Sequence, residues 1–366
     1  MKVLFRVDAS VDIGTGHAMR CLALARELRR NNVSSFFVMR RHAGNLIDRL
    51  RDDGFDVHTL ECEPSEISVT SRSSPQSGWL GGSWRSDCIA AIQRALVVRA
   101  RWVIVDHYDI DSRWEQEVSK AGFKVLVIDD LADRPHFAHA LLDQTFGREV
   151  QDYQPLVPSF TRLLLGTSYA LLRPEFARAR DRSLSRRAQP LGRLRLLLTM
   201  GGIDKGNVTK QILLTLKTFD REIVDHIDVL MGSGAPHLTE IQLLATTMPV
   251  PVSVHVDATD VADLMASADV AIGAAGGTAW ERCCLGLPTI MLVLAENQAL
   301  IAETLARAQA VAVIDSVEEV AQKLPALLHK LMADQHYRIK MSRNASALLD
   351  GLGLRRVVNI LETVDD

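Results

Sequence analysis

A chain of 366 residues is long enough for about two domains. Its 47% hydrophobic and 24% charged residues are ordinary for a globular protein. A formal net charge of −3 gives no footprint for nucleic acid, and no apolar run is long enough to span a bilayer.

The first half alternates short apolar runs with amphipathic stretches. Residues 3–7, 35–39, 102–105 and 124–128 read as strands, with a helical pattern between most of them. Such alternation predicts a parallel sheet covered by helices on both faces. Ligands of such sheets lie beyond the carboxyl ends of the strands. Three polar stretches fall there and are read as one rim: Asp8 to His17, Asp106-His107-Tyr108, and Asp129-Asp130.

In the first of these, a Gly14-Thr15-Gly16 turn precedes a helix marked by Met19, Leu22, Ala23 and Leu28. His17 stands at its mouth, where unpaired N–H groups and the dipole disfavour imidazolium. A neutral, proton-accepting histidine is one reading, and a capping or packing histidine is the other.

Residues 65–86 are Ser/Gly/Pro-rich and contain Trp79 and Trp84. They read as a surface loop, whose tryptophans either wall a ligand or, in the preferred reading, anchor the loop. Residues 178–193, rich in Arg and Ser, show no apolar period and read as a solvated linker.

The second half repeats the alternation. Strands are expected over 194–198, 229–231, 252–256, 270–272 and 288–294. Asn207 reads as a helix N-cap, residues 261–268 as a short helix, and Glu296-Asn297-Gln298 as the opening of another. Residues 344–363 read as one amphipathic helix kinked at Gly351 and Gly353. Gly273-Ala274-Ala275-Gly276-Gly277-Thr278 is the strongest local signal. Small residues before a helix start allow close approach of a phosphate to backbone N–H groups. Glu281, one turn on, can accept hydrogen bonds from ribose hydroxyls. The plainer alternative is a tight packing turn with Glu281 near a favourable dipole.

Other chemistries are poorly supported. Gly14 to Met19 lacks the third glycine of a dinucleotide fingerprint, and no Gly-Lys-Ser/Thr follows either glycine turn. Gly-x-Ser-x-Gly is absent. Asp106-His107 and Asp129-Asp130 offer metal ligands, but no His-x-x-x-His or Glu-x-x-His spacing supports them. The five cysteines form no Cys-x-x-Cys pair and read as reduced thiols. Together with Met1-Lys2 leading straight into a strand, they predict a cytoplasmic protein.

Two similar α/β domains, with Gly-x-Gly-His in the first and Gly-Ala-Ala-Gly-Gly-Thr-x-x-Glu in the second, resemble the GT-B architecture of UDP-sugar enzymes. Within that architecture, five motifs in order resemble the UDP-sugar hydrolases of the pseudaminic-acid pathway. They are Asp8-x-Ser-x-x-Ile-Gly-x-Gly-His-x-x-Arg20, Val105-Asp106-His107-Tyr108, Ile128-Asp129-Asp130-Leu131-Ala132-Asp133-Arg134, Leu171-Leu172-Arg173-Pro174-Glu175-Phe176 and Ala295-Glu296-Asn297-Gln298.

The resemblance implies two Rossmann-like domains with parallel sheets facing across a cleft. An N-terminal domain would span 1–177, a linker 178–193 and a UDP-binding domain 194–345. A C-terminal helix over 346–366 would pack back towards the first domain. The implied reaction is inverting, metal-independent hydrolysis of UDP-2,4-diacetamido-2,4,6-trideoxy-β-L-altropyranose. Its products are UDP and 2,4-diacetamido-2,4,6-trideoxy-L-altrose.

His17 matches the family's general base. Asp8, Gly16, Tyr108, Asn297 and Gln298 fall near the sugar, with Asp8 supporting the first loop. Gly201, Gly202, Val256, Gly276, Gly277, Thr278 and Glu281 fall on the UDP. No cofactor or macromolecular partner is implied, and a monomer is the default. The alternative is a GT-B glycosyltransferase moving an N-acetylated sugar from a UDP donor. The polar loop over 71–86 and the absence of an apolar, basic-flanked loop after His17 favour hydrolysis.

Overall fold

The computed structural model describes residues 1–63, 78–219 and 222–363, apart from the side chain of Asn297. The greater part of the Ser-rich loop expected over 65–86 therefore lies outside the described residues. The chain divides into two units, Met1–Leu171 with Gly353–Asp366, and Leu172–Leu352.

The first unit runs β1 (Lys2–Val7), α1 (Gly16–Arg30), β2 (Ser34–Arg40), α2 (Ile47–Asp52), β3 (Asp56–Leu60), α3 (Trp84–Val98), β4 (Trp102–Asp106), α4 (Ser112–Lys120), β5 (Lys124–Ile128), β6 (Ala140–Asp143), α5 (Val150–Tyr153) and β7 (Arg162–Leu165). Its parallel sheet has the order β3-β2-β1-β4-β5-β6-β7. The apolar runs form strands because alternate side chains enter two different cores. Val3, Phe5 and Val7 pack with α1, whereas Leu4 packs on the opposite face with Val103 and Val105.

The second unit runs α6 (Pro174–Arg187), β8 (Leu194–Thr199), α7 (Val208–Leu216), β9 (Val224–Met231), α8 (Leu238–Ala245), β10 (Val252–Val256), α9 (Val261–Ser267), β11 (Val270–Ala274), α10 (Thr278–Cys284), β12 (Thr289–Leu292), α11 (Ala299–Arg307), β13 (Ala312–Ile314), α12 (Val320–Ala333) and α13 (Gln335–Ala347). The sheet order is β10-β9-β8-β11-β12-β13, and Leu194, Leu196 and Leu198 carry β8 into its core.

In both sheets the order reverses beside the first strand, between β1 and β4 and between β8 and β11. At such a switch point the two outgoing loops diverge and leave a crevice for a ligand. Asp8 to His17, Asp106 to Tyr108, Gly201-Gly202 and Gly276 to Glu281 follow these four strands, whereas Asp129-Asp130, Val256 and Asn297-Gln298 belong to β5, β10 and β12 or the turns after them.

Three segments differ from their sequence expectation. Residues 178–187, expected as linker, lie in α6. Polar side chains rather than an apolar stripe hold this helix. Ser183 donates to the Leu285 carbonyl at 2.7 Å, Arg187 to Met265 at 2.9 Å, and Arg180 to Ser346 at 2.7 Å. The helix expected over 344–363 is broken into α13 and α14 (Gly353–Thr363). Gly351 has φ +80°, outside helical space, and a Cβ on Gly353 would sit 2.3 Å from the Ala170 carbonyl oxygen. After the break, Leu354, Val357, Val358 and Leu361 join the core of the first unit beside α1. Finally, Asp204 caps α7 instead of Asn207. Its two carboxylate oxygens accept from the Val208 and Thr209 N–H groups at 2.9 Å each, while the Asn207 amide donates to Glu240.

Candidate active site

At the first switch point β1 leads through the glycine turn into α1. Gly14 has φ +80°, a conformation that glycine adopts without steric cost. Thr15 gives α1 no side-chain cap, and a Cβ on Gly16 would meet open space. His17 follows, nearly buried, with its Nδ1 2.6 Å from Asp106 Oδ1 at the end of β4.

Arg20, one turn further along α1, grips the same carboxylate. Its Nε lies 2.6 Å from Asp106 Oδ2 and its Nη2 2.7 Å from Oδ1. Its Nη1 donates to Asp130 Oδ2 at 2.9 Å. Burial by itself would raise the Asp106 pKa; Arg20 and then His17 outweigh it and hold the carboxyl well below the usual range. An ionised Asp106 only accepts, so the His17 Nδ1 that meets it carries a proton, and in the tautomer with one ring proton the lone pair is on Nε2. That nitrogen has no hydrogen bond among the described residues.

Tyr108 completes the group. Its ring lies edge-on to His17 at 4.6 Å between centroids, and Trp79 lies 5.9 Å from Tyr108. The Tyr108 hydroxyl donates to Asp130 Oδ1 at 2.5 Å. Burial and then Asp130 push its pKa well up, so it remains a phenol. Trp79 thus stands beside Tyr108, and Asp109 fixes its loop by accepting from the Gly78 and Leu80 N–H groups. Trp84 instead opens α3.

Asp8, expected near the sugar, is fully buried. It accepts from the Arg40 N–H at 2.6 Å, lies 2.8 Å from Arg6 Nη1, and faces His107 Nε2 at 3.3 Å. Enclosed by these partners, it shapes the floor under the first loop. Asp129 is likewise structural, bonded to Arg134, Tyr153 and the Ala132 N–H. The rim therefore separates into Asp106, Tyr108 and Asp130, which gather at His17, and Asp8, His107 and Asp129, which brace the loops. Arg20, previously only a motif position, is the shared partner of both acidic site residues. Among the described residues no group of three His, Cys, Asp or Glu side chains could hold a metal.

These buried carboxylates make stability depend on pH. Burial opposes ionisation of Asp129, but Arg134 and His136 lower its pKa to about 2. Asp8 and Asp106 are also held low, by Arg6 and by Arg20 respectively against the same burial. A carboxyl depressed in the folded state binds fewer protons there than in the unfolded chain. Its stabilisation is complete above the unfolded value of about 4 and is lost as pH falls towards the folded value. The midpoint of denaturant unfolding is expected to stay level from pH 7 to 5 and to fall steeply from pH 4 to 2. A flat profile across the lower interval would contradict these assignments.

In the second unit the expected UDP residues leave the carboxyl ends of β8, β10 and β11. Gly201, φ +92°, and Gly202 follow β8, and the Gly202 carbonyl accepts from the Gly232 N–H at 2.8 Å. Val256 ends β10 with its side chain 37% exposed. Gly276 and Gly277 precede Thr278, the first residue of α10, and a Cβ on either glycine would meet nothing within 4 Å. That open space is what a ligand approaching the backbone needs. Gly273 differs: a Cβ there would lie 2.5 Å from Arg282 Nη1, so this glycine makes room for a side chain and not for a ligand.

Glu281 Oε1 lies 3.5 Å from Arg173 Nη2. Burial raises its pKa, with Arg173 opposing. Gln298 Oε1 accepts from the Leu294 N–H at 3.1 Å, which stiffens the turn after β12. The Asn297 side chain lies outside what is described.

Comparison with known proteins agrees with this architecture. Residues 198–353 match the model of the glycosyltransferase family 28 C-terminal domain. The UDP-2,4-diacetamido-2,4,6-trideoxy-beta-L-altropyranose hydrolase of Campylobacter jejuni is 27% identical over 84% of this chain and 97% of its own length. An uncharacterized protein of Methanocaldococcus jannaschii is 24% identical over 81% of this chain, but the match spans 57% of that longer protein. The crystal structure of MurG from Acinetobacter baumannii superposes with a TM-score of 0.68 at 15% identity, covering 99% of both chains. The chain therefore has a GT-B fold, its residues 198–353 are similar to the glycosyltransferase family 28 C-terminal domain, and over most of its length it is similar to the Campylobacter UDP-diacetamido-trideoxy-altropyranose hydrolase.

Proposed function

We propose that this chain is a UDP-sugar hydrolase, releasing UDP and a free N-acetylated deoxy-sugar with inversion at the anomeric carbon. The name of the Campylobacter relative points to UDP-2,4-diacetamido-2,4,6-trideoxy-β-L-altropyranose as substrate, in a pseudaminic-acid pathway. The observation that carries the reading is the His17–Asp106 pair, which leaves Nε2 of an oriented imidazole unbonded at a switch point. Nε2 takes a proton as the oxygen of water bonds to the anomeric carbon, and the bond from that carbon to the phosphate oxygen breaks with its electron pair leaving on UDP.

UDP departs as an anion already stabilised by the loops after β8 and β11, so the reaction needs no strong acid. Arg20 pairs with both Asp106 and Asp130, so the charge of these two carboxylates is met by the chain itself. The same reading takes the reaction as metal-independent and the protein as a cytoplasmic monomer whose sole partners are a UDP-sugar and water. No described helix is long and apolar enough to cross a membrane.

The test is NMR of the purified protein with the UDP-trideoxy-sugar in buffer containing EDTA. Free sugar of inverted anomeric configuration and UDP are expected. Retained configuration, or activity lost in EDTA and restored by a divalent ion, would contradict the mechanism. The family 28 match favours transfer to an acceptor hydroxyl as the second reading. It predicts no free sugar until an acceptor is added.

A further inference from the structure

Trp79 lies in a tight turn, Gly78-Trp79-Leu80-Gly81, closed by a hydrogen bond from the Gly81 N–H to the Gly78 carbonyl at 3.3 Å. Neighbouring side chains of this turn part. Leu80 is buried in the core that contains Ile110 and Trp114, and Trp84 packs against that same core. Trp79 joins neither core of the first unit and stays half-buried. Leu80 and Trp84 therefore anchor the loop, and the other tryptophan is not needed for that purpose.

The turn is nonetheless held firmly. Asp109 Oδ2 accepts from the N–H groups on either side of Trp79, Gly78 at 3.0 Å and Leu80 at 3.1 Å. Asp109 donates its own N–H to Nδ1 of buried His107 at 3.1 Å, and the Gly81 carbonyl accepts from the Glu63 N–H at 2.9 Å. The indole meets the ring of Tyr108 at 5.9 Å, with the planes 31° apart, and Tyr108 in turn meets His17. A fixed backbone thus presents a half-exposed indole one aromatic ring away from the proposed base.

Resting on the reading of this chain as a UDP-sugar enzyme, we propose that Trp79 is a specificity-determining residue. Its indole is an apolar wall for the methyl groups of an acetamido- and deoxy-substituted hexose, and Asp109 positions it. A methyl group laid on the indole takes apolar surface of both partners out of water. A hydroxyl pressed there loses its bonds to water and finds no acceptor, because the one polar group of an indole is a donor. The wall therefore favours sugars carrying N-acetyl and C-methyl groups over sugars carrying hydroxyls alone.

The test uses the full chain with His17→Ala throughout, so that the UDP-sugar is not consumed, and adds Trp79→Ala or Trp79→Phe. Titration calorimetry is run with UDP, with UDP-glucose and with UDP-2,4-diacetamido-2,4,6-trideoxy-β-L-altropyranose. Trp79→Ala should weaken the diacetamido sugar nucleotide at least about tenfold, about 1.4 kcal/mol, and leave UDP and UDP-glucose within about threefold. Trp79→Phe, which keeps an aromatic face, should recover most of the loss.

Unchanged affinity for the diacetamido sugar nucleotide in Trp79→Ala, equal losses for it and UDP-glucose, a Phe variant no better than the Ala one, or failure of both variants to fold would overturn the proposal. Protein with Trp79 intact that binds none of the three ligands overturns this inference together with the proposed function. Trp79-dependent binding of the diacetamido sugar nucleotide, with no sugar released by the chain that retains His17, overturns the hydrolase reading alone.

Discussion

Replacing His17 with alanine is expected to lower kcat by about two to four orders of magnitude, the usual contribution of a general base. UDP affinity should be unchanged. The two effects separate because the loops assigned to the nucleotide belong to the second unit and His17 to the first. The variant should also fold. His17 is not the carboxylate's sole partner: Arg20 still holds both Asp106 oxygens, so no buried charge is orphaned. Single-turnover kinetics give the chemical step, and calorimetry with UDP gives binding. If turnover and UDP binding fall together, His17 is part of the fold or of the nucleotide site, and its role as base is lost. If kcat is untouched, another group takes the proton.

The β/α alternation was legible because a parallel strand covered on both faces is apolar throughout, and β1, β2, β4 and β5 read that way. The strands that escaped are short or lie towards sheet edges. β6 and β7 have four residues each, and β3 interleaves Asp56 and His58 with its apolar positions. Helix α6 escaped for a different reason. Its arginines and Ser183 bond backbone carbonyls of α9, of the end of α10 and the residue after it, and of α13, and apolar periodicity carries no trace of such contacts.

In the candidate site, a histidine at a helix mouth could be found by local pattern alone. Its partner could not. Asp106 lies 89 residues away, and nothing in the sequence distinguishes it from Asp8 or Asp129, which also end strands. The strand order decides: β1 and β4 are neighbours at the switch point, so the loop after β4 meets the start of α1. Arg20 was visible as one turn beyond His17, and the i, i+3 spacing that puts both on one helix face is its retrievable signal.

Because Asp106 orients the imidazole without touching substrate, its replacement is the sharper test of how the base works. Asp106→Asn preserves shape but gives Nδ1 an amide that can donate as well as accept. The imidazole can then carry its proton on Nε2, the nitrogen that must be vacant. A loss in kcat of about two to four orders of magnitude is expected, comparable with that of His17→Ala. KM should change little. The double variant His17→Ala/Asp106→Asn should be no slower than either single one, since the two residues act as one device. A role confined to stability predicts otherwise. Asp106→Asn would then lower the melting temperature, leave the activity of the remaining folded protein near native, and add its effect to that of His17→Ala. Arg20 sharpens the distinction. Having lost one of its two carboxylates it still pairs with Asp130 at 2.9 Å, so the charge next to the histidine persists and only the direction of one hydrogen bond has changed.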